Sequence, residues 1–330
     1  MNNQRRRALK LFSGLCGTAV LPQFALADNT SYPTKSVNVV VPYGSGGSTD
    51  LIARLLVSDV GARHNGKFIV ENKAGAAGII GTSYVANAKA DGTTLLYSTA
   101  TPFAINPFVY RTLPYDPEND FIAVSRTVQL PLVLVVSKDL GINSLGQFIE
   151  YLRKNEKTSS FSSYGEGTSS HIAGTIFCKK IGVPGVVHVP YKEMRAMVDL
   201  VAGRNTFHID AWSVEAPLVK AGKLVPLAVS SNEPLPWAPE LPTISGFIKD
   251  DYEVVTWHAL FAPKATPVAI LDFLDKEFKE SIAKESIQQV FAEQGFLKYP
   301  YASRGEVKAF IDKDRDRWRE YVRISGIKPM

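Results

Sequence analysis

Val37-Asn-Val-Val-Val-Pro-Tyr-Gly-Ser-Gly-Gly-Ser-Thr-Asp50, followed directly by Leu-Ile-Ala-Arg-Leu-Leu, decides how this chain is read. A β-branched run ends at a proline, a glycine-rich loop follows, and an apolar-periodic helix opens with Ser, Thr and Asp. A strand–loop–helix of this kind leaves backbone N–H groups unpaired at a helix N-terminus, where the dipole favours an anion. Gly44, Gly46 and Gly47 let a ligand approach the backbone without Cβ interference.

Working outward, the same alternation recurs along the chain. Strands are expected at 37–41, 67–71, 94–98, 132–137, 160–162, 186–189, 207–210 and 224–229. Helical patterns lie between them at 49–63, 79–88, 144–154, 169–180, 194–202 and 215–221. This predicts an α/β fold of parallel sheets with helices on both faces, where ligands sit at the carboxyl ends of strands. Two extended stretches, 120–128 and 252–261, break the pattern and read as crossovers between lobes. Helical patterns at 267–283, 285–293 and 304–325 then return to the first lobe. A chain that leaves one lobe, builds a second and returns makes a two-lobed periplasmic-binding-protein (Venus flytrap) clamshell. The expected limits are 28–124 and 253–330 for lobe one and 125–252 for lobe two.

The first 27 residues read as an export signal. Arg5, Arg6, Arg7 and Lys10 form a basic n-region, Leu11 to Val20 an apolar stretch, and Ala25-Leu-Ala27 a cleavage site after Ala27. The arginines resemble a twin-arginine signal, though Ala8 stands where an aromatic is usual, so Sec and Tat export both remain open. The whole chain has 37 basic and 32 acidic residues; removing the signal leaves 33 against 32. A near-neutral mature chain gives no support for nucleic-acid binding. One cysteine, Cys178, remains, so no internal disulfide is expected.

Over the mature length the sequence resembles the extracytoplasmic solute receptors of tripartite tricarboxylate transport systems, the TctC-like Bug receptors. The matching segments begin with Tyr32-Pro-Thr-Lys35, Val41 to Asp50, Val70-Glu-Asn-Lys-Ala-Gly-Ala-Ala-Gly78, Asp91-Gly-Thr-Thr-Leu-Leu96 and Leu113-Pro-Tyr-Asp-Pro117. Gly165-Glu-Gly-Thr-Ser-Ser-His171, Val189-Pro-Tyr-Lys192, Ala221-Gly-Lys-Leu224 and Leu241-Pro-Thr243 follow. Their order and spacing carry the resemblance, since no single one is diagnostic. It implies a periplasmic, monomeric receptor that captures a small carboxylate or amino-acid-like solute and hands it to membrane carrier subunits. It also implies a ligand held by backbone amides, hydroxyls and waters, with no cofactor and no metal.

The candidate ligand residues are Tyr43, Gly44, Gly46, Gly47 and Ser48 in the first loop; Asp50 reads as a cap. Gly75, Ala76, Ala77 and Gly78 form a second turn, for either close packing or ligand contact. Thr99, Ala100 and Thr101 end the third strand. Lobe two contributes Tyr164, Gly165, Gly167, Thr168 and Ser169, with His171 expected to pack inside the following helix. Asp210 faces the expected cleft and suits an ammonium group or a water. Glu166 and Glu193 depart from the family pattern; if they face the cleft they favour an amino acid, an amine-bearing acid or a monocarboxylate.

Catalytic readings fare poorly. The loop at 44–49 lacks a P-loop ending, and no G-x-S-x-G elbow or H-E-x-x-H occurs. His208 with Asp210 is the one tight pair, too few ligands for a metal claim. The alternatives to a transport receptor are a receptor that signals to a sensor protein and, remotely, an exported hydrolase.

Overall fold

The computed structural model describes residues 32–191, 195–299 and 302–330. The expected signal segment and Glu193 lie outside these residues.

Lobe one opens with β1 (Val37–Val41), α1 (Ser48–Arg63), β2 (Phe68–Asn72), α2 (Ile79–Ala86), β3 (Thr94–Thr99) and the short α3 (Asn106–Val109). β1 lies between β2 and β3 and runs parallel to both, with Val39 opposite Val70 and Leu95. All four of its valines are fully buried, which is why this strand reads as an unbroken apolar run instead of an alternating one. α1 buries Ile52, Leu56 and Val60, one side chain per turn, against it.

The chain then enters β4 (Phe121–Ser137), a strand of 17 residues. Lobe two follows as α4 (Leu145–Lys154), β5 (Ser160–Ser163), α5 (Ser169–Lys180), β6 (Val187–Pro190), α6 (Arg195–Val201), β7 (Phe207–Ala211), α7 (Trp212–Lys220), β8 (Leu224–Val229) and α8 (Ile244–Ile248). β9 (Val255–Pro263) returns, and α9 (Val268–Ala283), α10 (Glu285–Glu293), β10 (Leu297–Lys298) and α11 (Arg304–Ser325) complete the chain.

The strands form one curled sheet in the order β2-β1-β3-β9-β4-β7-β5-β6, with β8 and β10 also paired to β4. The expectation of purely parallel sheets is therefore corrected. Pairing is parallel around β1 and β5, but β9 is antiparallel to both β3 and β4, and β4 is antiparallel to β7 and β8. A return strand that crosses back to lobe one must run against the strand that left it. The expected strand at 132–137 is also not separate; it is the second part of β4. Phe121 to Pro131 pair with β9, and Leu132 to Ser137 pair with β7 and β8. Pro131 sits where the partners change, a place where its missing N–H costs least. Beside it Leu132 N donates to Ser230 Oγ at 2.7 Å and Ser230 N to Leu132 O at 2.8 Å.

α11 reaches both the strand β9 and the helix α5. Trp257 on β9 and Trp318 on α11 both donate their indole N–H to Asp314 Oδ2, at 2.7 and 2.9 Å. Lys179 of α5 donates to Ile324 O at 2.9 Å. Cys178 is buried and free.

Candidate functional site

On the lobe-one side the loop between β1 and α1 holds its shape through Asp50. That carboxylate accepts from Gly46 N at 3.0 Å, Arg54 Nε at 3.0 Å and Asn72 Nδ2 at 2.9 Å. Burial would raise its pKa, but these partners outweigh burial and hold it below the usual range. Asp50 is thus the structural acid expected. Gly44, Gly47 and Ser48 then open onto a cavity together with the first turn of α1, whose leading N–H groups have no partner within the helix. Gly46 does not line it: its φ is +86° and its amide is turned to Asp50.

The turn at 75–78 holds four consecutive residues at positive φ: Gly75 at 140°, Ala76 at 47°, Ala77 at 50° and Gly78 at 84°. Two alanines in the left-handed region store strain of a kind found at ligand clamps. All four residues line the cavity, and Gly78 also packs closely, its Cα substituent direction blocked by Pro102 at 3.1 Å and the Tyr43 hydroxyl at 3.3 Å. Tyr43 OH bonds Thr99 Oγ1 at 2.7 Å, and Thr101 N donates to the same oxygen at 3.2 Å. Burial pushes the Tyr43 phenol up to about 12, so it stays a neutral hydrogen-bonding group. Thr99 and Thr101 line the cavity; Ala100 is wholly buried beneath it.

Lobe two faces this wall with the β5–α5 loop. Thr168 caps α5, donating to Gly165 O at 2.8 Å and accepting from His171 N at 3.5 Å. Tyr164, Gly165, Glu166, Thr168, Ser169 and Ser170 line the cavity. Gly167 is turned away from the cavity, onto lobe one: a Cβ there would meet Val109 Cγ1 at 2.7 Å. His171 packs as expected. Its Nδ1 accepts from Gly167 N at 3.0 Å, and its ring stacks on His188 with centroids 3.7 Å apart. Burial pushes His171 down to about 4, and burial with the neighbouring His171 pushes His188 down to about 3.

Asp210, at the end of β7, lines the same cavity. Its Oδ1 accepts from Ala211 N at 2.6 Å, and its Oδ2 lies 3.5 Å from His208 Nε2. His208 Nδ1 in turn meets Ser162 Oγ at 2.8 Å. No group of three or more metal-ligating side chains occurs among the described residues.

The cavity measures about 870 Å³, and residues of both lobes line it. Sequence reasoning missed its floor. Thr256 and His258 lie on the crossover strand β9, two apart and so on one face, a polar pair in an otherwise apolar strand. Thr49 Oγ1 sits 3.4 Å from His258 Nε2, and burial pushes His258 down to about 3. Tyr110, Tyr191 and Arg195 at the walls were also missed. Arg195 is the sole Lys or Arg among the described lining residues.

Residues 52–327 match the model of the tripartite tricarboxylate transporter family receptor. Protein BugT of Bordetella pertussis is 30% identical over 300 residues, covering 90% of this chain and 91% of BugT. The solved structure of R. palustris Rpa4515 with adipate is similar at a TM-score of 0.87 and 32% identity, covering 91% of this chain and 100% of that one. The periplasmic binding protein BugD gives a TM-score of 0.85 at 30% identity, covering 91% and 100%. These relatives have the two-lobed α/β architecture, and no helix among the described residues is long and apolar enough to cross a membrane. The chain belongs to the tripartite tricarboxylate transporter receptor family, whose members are periplasmic solute-binding proteins.

Proposed function

We propose that this receptor captures a small carboxylated solute in the cavity between its lobes and delivers it, without chemical change, to the membrane carrier subunits of a tripartite tricarboxylate-type transporter. The observation that carries this reading is the opening of two helix N-termini, those of α1 and α5, onto one cavity. Backbone amides at such ends suit a carboxylate without an arginine fork. The hydroxyls of Ser48, Thr99, Thr101 and Ser169 supply further donors, directly or through water. Adipate in the R. palustris relative supports the ligand class. The ligand set we assign is Tyr43, Gly44, Gly47, Ser48, Ala76, Thr99, Thr101, Tyr164, Gly165, Thr168, Ser169 and Asp210. Gly46 and Gly167 serve it by shaping their loops. The lobe limits near 124 and 253 fall on β4 and just before β9, the two strands about which the lobes would bend, and the signal would be cleaved after Ala27.

The test is a thermal-shift screen of protein unfolded and refolded to strip carried-over solute. A ligand at a hundredfold excess over its Kd stabilises by roughly 2.7 kcal/mol. A shift of several degrees with carboxylates supports the reading, and no shift with any carboxylate sinks it.

A further inference from the structure

Resting on that reading, we infer that the solute is a carboxylate bearing a cationic amine at its far end, and that Asp210 is the counter-ion for that amine. The two poles of the cavity differ in charge. The lobe-one pole offers amides and hydroxyls and no side-chain charge among its described lining residues, since Asp50 is turned into the loop. The lobe-two wall carries Asp210 and Glu166. The one Lys or Arg among the described lining residues, Arg195, holds its side chain 78% exposed at the rim.

Behind Asp210, on α7, stands Glu215. It is fully buried, with the backbone of Asp210 beside its carboxyl. Asp210 is close enough to disfavour a second negative charge on it, and both acids bear on the Tyr164 phenol. A dicarboxylate spanning the cavity would bring a third carboxylate beside Asp210 and Glu166, with no buried Lys or Arg among the described lining residues to receive it. An ammonium group placed there would be matched by Asp210 directly.

The floor supplies an independent sign that the cavity is built for a polar occupant. Thr256 and His258, both buried, present polar side chains to it. A zwitterion offers both donors and acceptors to such a floor, whereas a plain monocarboxylate leaves the Asp210 wall unmatched.

The experiment is calorimetric titration of the refolded protein with length-matched sets of amino acids, hydroxy acids, dicarboxylates and monocarboxylates of three to six carbons. The amino acids include both α- and ω-amino members. We expect one amino acid to bind at least tenfold tighter than its matched hydroxy acid, dicarboxylate and monocarboxylate. Asp210→Asn should cost that amino acid tenfold or more, and a loss under threefold overturns the assignment of Asp210. The hydroxy-acid comparison on the unaltered protein stands alone if Asp210→Asn does not fold. Dicarboxylates binding as tightly as amino acids, or hydroxy acids matching the amines, overturn this inference and leave the carboxylate receptor intact. Failure of every carboxylate to bind overturns both.

Discussion

Glu215 shows at the scale of one residue how much a sequence can conceal. A helical pattern starting at Glu215 makes it a first-turn acid, a position that normally faces water. The helix instead starts at Trp212 and still holds Glu215 in its first turn, yet the side chain is fully buried. Burial raises its pKa well above the ordinary range. The folded chain therefore keeps this proton over a span where the unfolded chain, near 4.5, has lost it, and stability falls as pH rises through that span. Glu215→Gln removes the penalty at nearly constant shape. We expect the variant to melt higher than the parent, with the gain larger at pH 8 than at pH 5. A gain that is constant with pH would show that the carboxyl is not held protonated in the fold.

At the scale of elements, the βα units were legible because the hydrophobic period changes visibly from strand to helix, and the glycine loops because only Gly tolerates such backbone freely. Ala76 and Ala77 were not legible as left-handed residues, since alanine carries no signal for that conformation; the surrounding packing imposes it. The length of β4 was hidden by Pro131, which reads as a break but sits at a change of partners. Gly167 was legible as a loop glycine but not as a contact to α3. Its φ of +75° and the 2.7 Å approach of Val109 leave no room for a side chain. Gly167→Val should hold the lobes apart and weaken ligand binding tenfold or more, read by calorimetry alongside scattering. Unchanged affinity would mean that lobe contact at this point is dispensable.

The same loop predicts an acid limit. His171 must be neutral for its Nδ1 to accept the Gly167 amide. His171 resists protonation down to about 4 and His188 down to about 3, whereas both titrate near 6.5 when unfolded. The unfolded chain thus binds more protons across that window, and the stability these rings permit is lost as pH falls from about 6.5. Denaturant titrations at pH 7, 5.5 and 4.5 should show unfolding midpoints falling in that order. His171→Gln, whose amide oxygen can still accept while never charging, should flatten the fall; an unflattened curve would place the acid sensitivity elsewhere.

At the scale of the whole molecule, the two crossovers were readable because they lack the alternation that marks every βα unit. What joins the lobes beyond them was not readable, because it is made by residues far apart in sequence. Asp314 is the clearest case: buried at 4% exposure on α11, it holds the indoles of Trp257 on the crossover strand and Trp318 on its own helix, and pairs with Arg317. Burial raises its pKa despite these partners, so the site is costly to maintain and stable only while complete. Asp314→Ala leaves two buried indole N–H groups and a guanidinium short of their acceptor. The expected loss is about 3 kcal/mol, a fall in Tm of several degrees by calorimetry. Because α11 also reaches α5 through Lys179, the loss should bring the lobes' unfolding apart, broadening the transition into two. A single transition shifted without broadening would mean that the shared sheet alone couples the lobes, with α11 serving lobe one only.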